Sequence, residues 1–106
     1  MAWTILIVAG LLETVWAFYM KQSAGFTRLV PSLITIVAML GSFSLLAYAM
    51  KVLPLGTAYT VWTGIGAVGA FALGVAFLGE SVNPTRLLAA GLIVSGLILM
   101  RVSATG

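Results

Sequence analysis

The stretch that decides the fold is LVPSLITIVAMLGSFSLLAYAM, from Leu29 to Met50, which holds no charged residue. A helix needs about 20 apolar residues to cross the hydrocarbon core of a bilayer, and this stretch is long enough. A second charge-free run, from Val52 to Gly79, is longer still. Both runs therefore predict helices that span a membrane.

Two further apolar runs lie outside this central pair. Residues 2–20 are interrupted by one acid, Glu13, and residues 87–100 reach spanning length if Pro84 begins the helix and the Arg101 side chain extends to the membrane surface. The sequence thus predicts an all-α membrane protein whose residues 1–106 form a single integral membrane domain. Its four predicted transmembrane helices cover residues 2–21, 29–50, 57–79 and 84–103.

The composition excludes several classes of protein. The chain is 62% hydrophobic and 7% charged, whereas soluble domains carry about 25% charged residues. It has no cysteine and no histidine, so we expect no disulfide, no thiolate chemistry, no metal site and no cofactor. No basic segment precedes the first apolar run, so we expect no cleavable signal peptide. These features predict a multi-pass protein of the cell (inner or plasma) membrane.

The connections KQSAGFTR, KVLPLGT and GESVNP hold glycine, proline, serine, asparagine and most of the charges. Loops this short force successive helices to run antiparallel. Thr57 and Asn83 are predicted N-caps, and Pro84 is the predicted first residue of the last helix.

The basic residues lie at predicted helix ends and form no stripe, so we expect no nucleic-acid partner. An even number of spans places Lys51 and Arg101 on one side of the membrane and Lys21, Arg28 and Arg86 on the other. Two against three is too small a difference for the positive-inside rule to fix an orientation. Insertion in one orientation and insertion in both orientations therefore remain open.

Glu13 is about two residues from the centre of its predicted helix, within about 3 Å of mid-bilayer depth. A charged group there costs several kcal/mol unless it faces a partner helix or a wet cavity. One interpretation is a protonated acid that makes an interhelical hydrogen bond. The other, which we favour because no basic residue lies deep in a span, is a site for protons and an exchangeable cation.

Residues three positions from Glu13 share its helix face. Gly10 permits close backbone approach, and Trp16 offers an aromatic face and an N–H donor. Tyr59, Trp62, Thr63 and Gly66 form one stripe of the third helix, which lines a site or is merely packing. Ser42, near the middle of the second helix, is weaker evidence, because serine often bonds to its own helix.

Glycines predict where helices meet. The segment GIGAVGA, residues 64–70, indicates tight packing or a bend. Gly91, Ser95 and Gly96 predict close association of the fourth helix. Four helices enclose little space for a solute, and residues 1–52 and 53–106 are not an internal repeat. Because many transporters need two related halves, we expect a homodimer, and two oppositely inserted copies would supply an inverted pair.

The chain resembles the small multidrug resistance family over all four helices. The matching pieces are Glu13 and the segments LPLGTAYTVW (53–62), GIGAVG (64–69), GESVNP (79–84) and LIVSG (92–96). ETVWAFYMK and WTGIGAVG are similar to the guanidinium exporters within it. The resemblance implies an antiparallel, dual-topology homodimer of eight helices that exports a cation in exchange for protons.

The same resemblance implies roles for individual residues. Glu13 of both subunits would bind protons and substrate. Gly10, Trp16, Ser42, Tyr59 and Trp62 match positions that line or brace the family's site, and Gly91, Ser95 and Gly96 lie in the helix that matches its dimerisation helix.

Guanidinium fits this chemistry, because it forms paired N–H···O bonds to a carboxylate and its plane suits aromatic faces. We therefore predict proton-coupled export of guanidinium and small substituted guanidinium cations. Two alternatives stay open: a broad exporter of quaternary ammonium compounds, and a membrane subunit that transports nothing and in which Glu13 fixes assembly.

Overall fold

The structure, a computed structural model, describes residues 1–103. It contains four α-helices: α1 (Ala2–Gln22), α2 (Leu29–Ala49), α3 (Leu55–Phe77) and α4 (Pro84–Ser103). Each is long and apolar enough to cross a membrane, and residues 1–103 contain no strand. The predicted all-α fold with four membrane helices is confirmed, and every helix end lies within two residues of its predicted position.

The helices form a thin layer. Helix α1 packs between α2 and α3, and α4 packs beside α3. The chain extends 43 × 35 × 16 Å, and one helix with its side chains is already 10–12 Å across. The buried apolar residues are Leu6, Ala9, Leu46, Ala49, Leu53, Ala58, Val61 and Trp62. This core therefore occupies the half of the layer that holds the start of α1, the end of α2 and the start of α3.

The α1–α2 turn is closed by Ser23, which is fully buried. Its hydroxyl donates to the Met20 carbonyl at 2.6 Å and accepts the N–H of Phe26 at 3.1 Å. Its carbonyl accepts the N–H groups of Thr27 and Arg28 at 2.9 and 3.1 Å. Residues 24–26 all have positive φ, so the hydrogen bonds of Ser23 stabilise a left-handed backbone segment in which the chain reverses its direction.

The two N-cap predictions had different outcomes. Asn83 caps α4: its Oδ1 accepts the N–H of Arg86 at 2.9 Å, and Pro84 is the first helical residue, as predicted. The prediction for Thr57 is wrong, because α3 begins at Leu55 after Pro54. Pro54 has the extended backbone that precedes a helix, and its carbonyl accepts the N–H of Ala58 at 2.9 Å, which forms the first turn before Thr57.

Candidate functional site

Glu13 lies in the middle of α1 with its carboxylate turned toward α3. The side chain is half-buried and lies against Gly66, where an added Cβ would collide with the carboxylate. Its Oε1 is buried and has no hydrogen-bond partner among residues 1–103. A buried acceptor without a partner is costly, so this oxygen is available to a donor from outside the chain.

The α1–α3 crossing is close because glycines lie at its contact points. On α1, an added Cβ at Gly10 would come within 2.8 Å of the Ile65 side chain. On α3, Gly69 faces Thr14, which is itself buried and donates its hydroxyl to the Gly10 carbonyl at 3.3 Å. Small residues let helix backbones approach in this way. Gly10 thus sets the spacing of the helices around Glu13 and contacts α3, not the carboxylate.

A buried polar network joins α1, α2 and α3 one turn from Glu13. The Trp62 indole donates to the Ser42 hydroxyl at 2.9 Å, and that hydroxyl donates to the Ala9 carbonyl at 2.7 Å. In an α-helix the carbonyl of Ala9 also accepts the N–H of Glu13. The network therefore fixes the turn of α1 from which the Glu13 side chain projects.

Aromatic rings extend from this network along one side of the site. The rings of Trp16 and Phe43 are 6.2 Å apart, edge to face, and Phe43 lies 5.6 Å from Trp62. Tyr59 also lies 5.6 Å from Trp62. Phe43, which contacts both Trp16 and Trp62, is a candidate site residue that sequence reasoning missed. It follows Ser42 directly, and successive helix residues point about 100° apart, so the prediction of Ser42 gave no signal for Phe43.

The structure buries only some of the predicted site residues. Trp62 and Gly66 are buried against α2 and α1, whereas Tyr59 and Thr63 of the same stripe are exposed. Neither Ser42 nor Trp62 hydrogen-bonds to Glu13, because each is satisfied within the network at the level of Ala9. Trp16, like Glu13, has a buried polar atom without a partner: its Nε1 makes no hydrogen bond within residues 1–103.

The three residues predicted to pack α4 lie away from this site. None of the residues of α4 is buried, and added Cβ atoms at Gly91 and Gly96 would meet nothing within 4 Å. Ser95 is exposed. Helix α4 instead contacts α3 through Leu97, which packs on Gly64.

The arrangement can bind a cation. It offers one carboxylate oxygen free to accept, aromatic faces on one side, and a setting inside the spanning segments. Residues 1–103 contain no group of three or more His, Cys, Asp or Glu residues that could hold a metal ion. Fold and site together define an integral membrane protein with a candidate polar site between its spanning helices.

Comparisons with known proteins agree with that class. The family model described as Small Multidrug Resistance protein matches residues 1–93. A guanidinium exporter of Salmonella typhimurium (strain LT2) is 60% identical over 104 residues, which cover 98% of this chain and 99% of the relative. A guanidinium exporter of Citrobacter freundii is 58% identical, over 97% of this chain and 98% of the relative. A guanidinium exporter of Yersinia pseudotuberculosis is 59% identical, over 98% of this chain and 100% of the relative.

The chain belongs to the small multidrug resistance family. It is a multi-pass protein of the inner membrane and a transporter, not an enzyme.

Proposed function

We propose that this chain exports guanidinium and small substituted guanidinium cations in exchange for protons, as an antiparallel, dual-topology homodimer. The observation that carries the proposal is the buried, unpartnered Oε1 of Glu13 in the middle of a spanning helix. The name shared by relatives about 60% identical over nearly the whole chain supports guanidinium as the substrate class.

Guanidinium suits the groups that surround Glu13. It carries hydrogen-bond donors and no acceptor, so it can donate to a carboxylate oxygen that has no donor of its own. Its flat cation can also lie on an aromatic face, and Trp16 is positioned one turn away with Phe43 against it. A proton on the same carboxylate would remove the charge that holds the cation. Competition between proton and cation at Glu13 is the simplest coupling of an inward proton flow to an outward cation.

A second copy is part of the proposal because one chain leaves a buried polar atom and a whole helix without partners. The helices form a single layer, and no residue of α4 is buried. Trp16 adds a specific requirement: a cation with donors alone cannot accept its N–H. Its acceptor must come from water or from a facing copy, and two Glu13 carboxylates in a dimer could hold opposite edges of one guanidinium.

The broad-spectrum alternative is favoured by one observation. A cavity of about 540 Å³ opens beside α1 and α2, and its lining is entirely apolar. Its lining residues are Leu12, Leu33, Ile34, Val37, Ala38 and Gly41. The cavity lies on the α2 side of α1, whereas the Glu13 carboxylate faces α3, so an alkyl substituent would have to pass around α1 to reach it while the charged head stays at the acid. Each buried methylene would recover about 0.8 kcal/mol.

Transport in proteoliposomes tests the substrate. With a fixed pH gradient, we expect guanidinium and singly alkylated guanidinium to be exchanged for protons, and tetraalkylammonium ions to be exchanged roughly ten- to a hundredfold more slowly. Tetraalkylammonium offers no donor, and a charge-assisted hydrogen bond contributes about 1.5–3 kcal/mol. Equal or faster transport of a bulky tetraalkylammonium would favour the broad-spectrum exporter. No exchange of any cation would favour the non-transporting subunit.

Labelling of single cysteines tests the topology. The native chain has none, so one cysteine placed in a loop should be labelled from both sides of sealed vesicles. Labelling from one side, while a control site is labelled from both, would contradict dual topology. Two lysines added to one set of loops should bias the orientation and lower activity, and an oppositely biased copy should restore it.

A further inference from the structure

The second acid of the chain, Glu80, is held in a defined place in the α3–α4 connection. Its carboxylate lies against Gly74, where an added Cβ would collide with Oε2. Its backbone N–H donates to the Gly74 carbonyl at 3.1 Å. Glu80 is therefore seated on the last turns of α3, although it belongs to a loop.

The guanidinium group of Arg86 is bound at this acid. Its Nη2 lies 3.6 Å from Oε1 of Glu80, and its Cζ lies 5.3 Å from the centre of the Phe71 ring. A carboxylate and an aromatic face are the two partners that a free guanidinium ion would take. The chain thus carries a guanidinium site that its own arginine fills.

This pair is open to exchange with solutes. The side chains of Arg86 and Glu80 are 43% and 45% exposed, and ion pairs with that exposure contribute little to stability. A guanidinium ion from solution can therefore replace Arg86 at Glu80 without a large loss elsewhere.

A cavity of about 400 Å³ lies between the end of α1 and the end of α3, with Glu80 in its lining. Its lining residues are Ala17, Phe18, Lys21, Ala70, Leu78 and Glu80. Ala17 lies one turn beyond Glu13 on α1, and Ala70 one turn beyond Gly66 on α3, so the cavity begins about 6 Å along the helix axes from the central acid. Lys21 lines the same cavity and Arg86 is paired with Glu80 at its edge, and their positive charge opposes prolonged binding of a cation in the cavity.

We propose that Glu80 and Phe71 form an outer guanidinium-binding site, which Arg86 occupies at rest and from which the substrate enters the cavity that ends about one helical turn from Glu13. The inference rests on the proposed function for its substrate. It adds a second binding site and gives Arg86 the role of an internal competitor.

Two variants with opposite expected effects test the transport role. In reconstituted dimers, Glu80→Gln should raise the KM for guanidinium roughly two- to fivefold, the size that an exposed charge pair supports, with kcat little changed. Arg86→Gln should lower the KM, because it frees the carboxylate. Arg86→Lys keeps the positive charge in the first turn of α4, and its KM should lie between those of Arg86→Gln and the wild type. Thr85→Ala, at an exposed neighbour on the same turn, is the matched control. If the pair merely stabilises the fold, Glu80→Gln and Arg86→Gln will shift KM in the same direction, which would overturn the proposal.

A binding measurement separates this site from the central one. Saturation-transfer NMR on the methyl protons of methylguanidinium, with Glu13→Gln dimers in nanodiscs, should show binding that guanidinium chloride competes away and sodium chloride at the same ionic strength does not. Adding Glu80→Gln should at least halve the signal, and adding Arg86→Gln should increase it. Equal signals with and without Glu80→Gln would overturn the outer site, even if wild-type transport depends on Glu13. A Glu80-dependent signal in a protein that transports no guanidinium would leave the outer site standing and refute the proposed function.

Discussion

Helix α1 and helix α4 are almost equally long and equally apolar, with mean hydropathies of 1.6 and 1.7. Yet α1 is pressed against α3 at Gly10, Gly66 and Gly69, whereas α4 buries none of its residues. Between helices in lipid, apolar surface alone gives no preference for a protein neighbour over a lipid tail. The difference between α1 and α4 shows that a small residue facing a side chain of another helix marks a helix–helix contact within the chain. Gly91 and Gly96 meet nothing within 4 Å, so no contact within residues 1–103 opposes the prediction that they pack α4 against another copy.

The largest expected effect is at the polar centre of the α1–α3 crossing. Glu13→Gln should abolish proton-coupled guanidinium exchange and leave the dimer intact, because the amide keeps the shape and loses the titratable charge. The exchange is measured as guanidinium accumulation driven by a pH gradient in proteoliposomes. The dimer is measured by crosslinking in the bilayer. Accumulation by the Gln variant at the wild-type rate would refute the central role of this acid.

The next effect concerns the space beside that acid. Gly66→Ala should displace the Glu13 carboxylate and lower transport at least tenfold, because overpacking at a tight contact costs about 1–3 kcal/mol. Gly56→Ala, on the same helix with nothing within 4 Å of an added Cβ, is the matched control and should transport normally. Transport and thermal stability are measured on both proteins. Equal transport by the two variants would show that the glycine contact does not position Glu13.

The comparison between α1 and α4 is also tested by a larger side chain on α4. Gly91→Leu should leave the fold of a single chain unchanged, because space is open there, and should weaken dimerisation by tenfold or more. Subunit exchange followed by fluorescence transfer between labelled copies in lipid vesicles gives the dimer fraction. Gly56→Leu serves as the control. An unchanged dimer fraction with Gly91→Leu would place the dimer interface elsewhere.

The smallest effects should come from the network of Ser42 and Trp62. Trp62→Phe removes one hydrogen bond, while the Ser42 hydroxyl keeps its bond to the Ala9 carbonyl, so we expect a loss of stability of about 0.5–1.5 kcal/mol. Ser42→Ala leaves the buried Trp62 N–H without its acceptor and should cost more, about 1–3 kcal/mol. Unfolding in detergent measures both. A smaller loss for Ser42→Ala than for Trp62→Phe would contradict this assignment of the two bonds.

The number of helices could be predicted because the two central charge-free runs are each long enough to span a membrane, and the two outer runs reach that length with Glu13 inside the first and with Pro84 and Arg101 at the ends of the last. The start of α3 was misplaced by two residues, since a proline carbonyl, not a threonine side chain, satisfies its first turn. Within the site, the faces of single helices were predictable from periodicity. The contact of Phe43 with Trp16 and the bond from Ser42 to Ala9 were not, because they depend on how two helices are rotated against each other. Periodicity within one helix carries no information on that rotation.

The Ser23 turn has a consequence for the order in which the chain is assembled during synthesis. The helices that it joins, α1 and α2, also share the bond from Ser42 to the Ala9 carbonyl, so neither the turn nor this interhelical hydrogen bond requires a residue of α3. Helix α2 is the most apolar of the four, with a mean hydropathy of 2.1, and favours early transfer into lipid. The first half of the chain can thus enter the membrane as a finished hairpin. Helix α3 then adds the Trp62 N–H to a serine already held in place, and α4 joins last against α3.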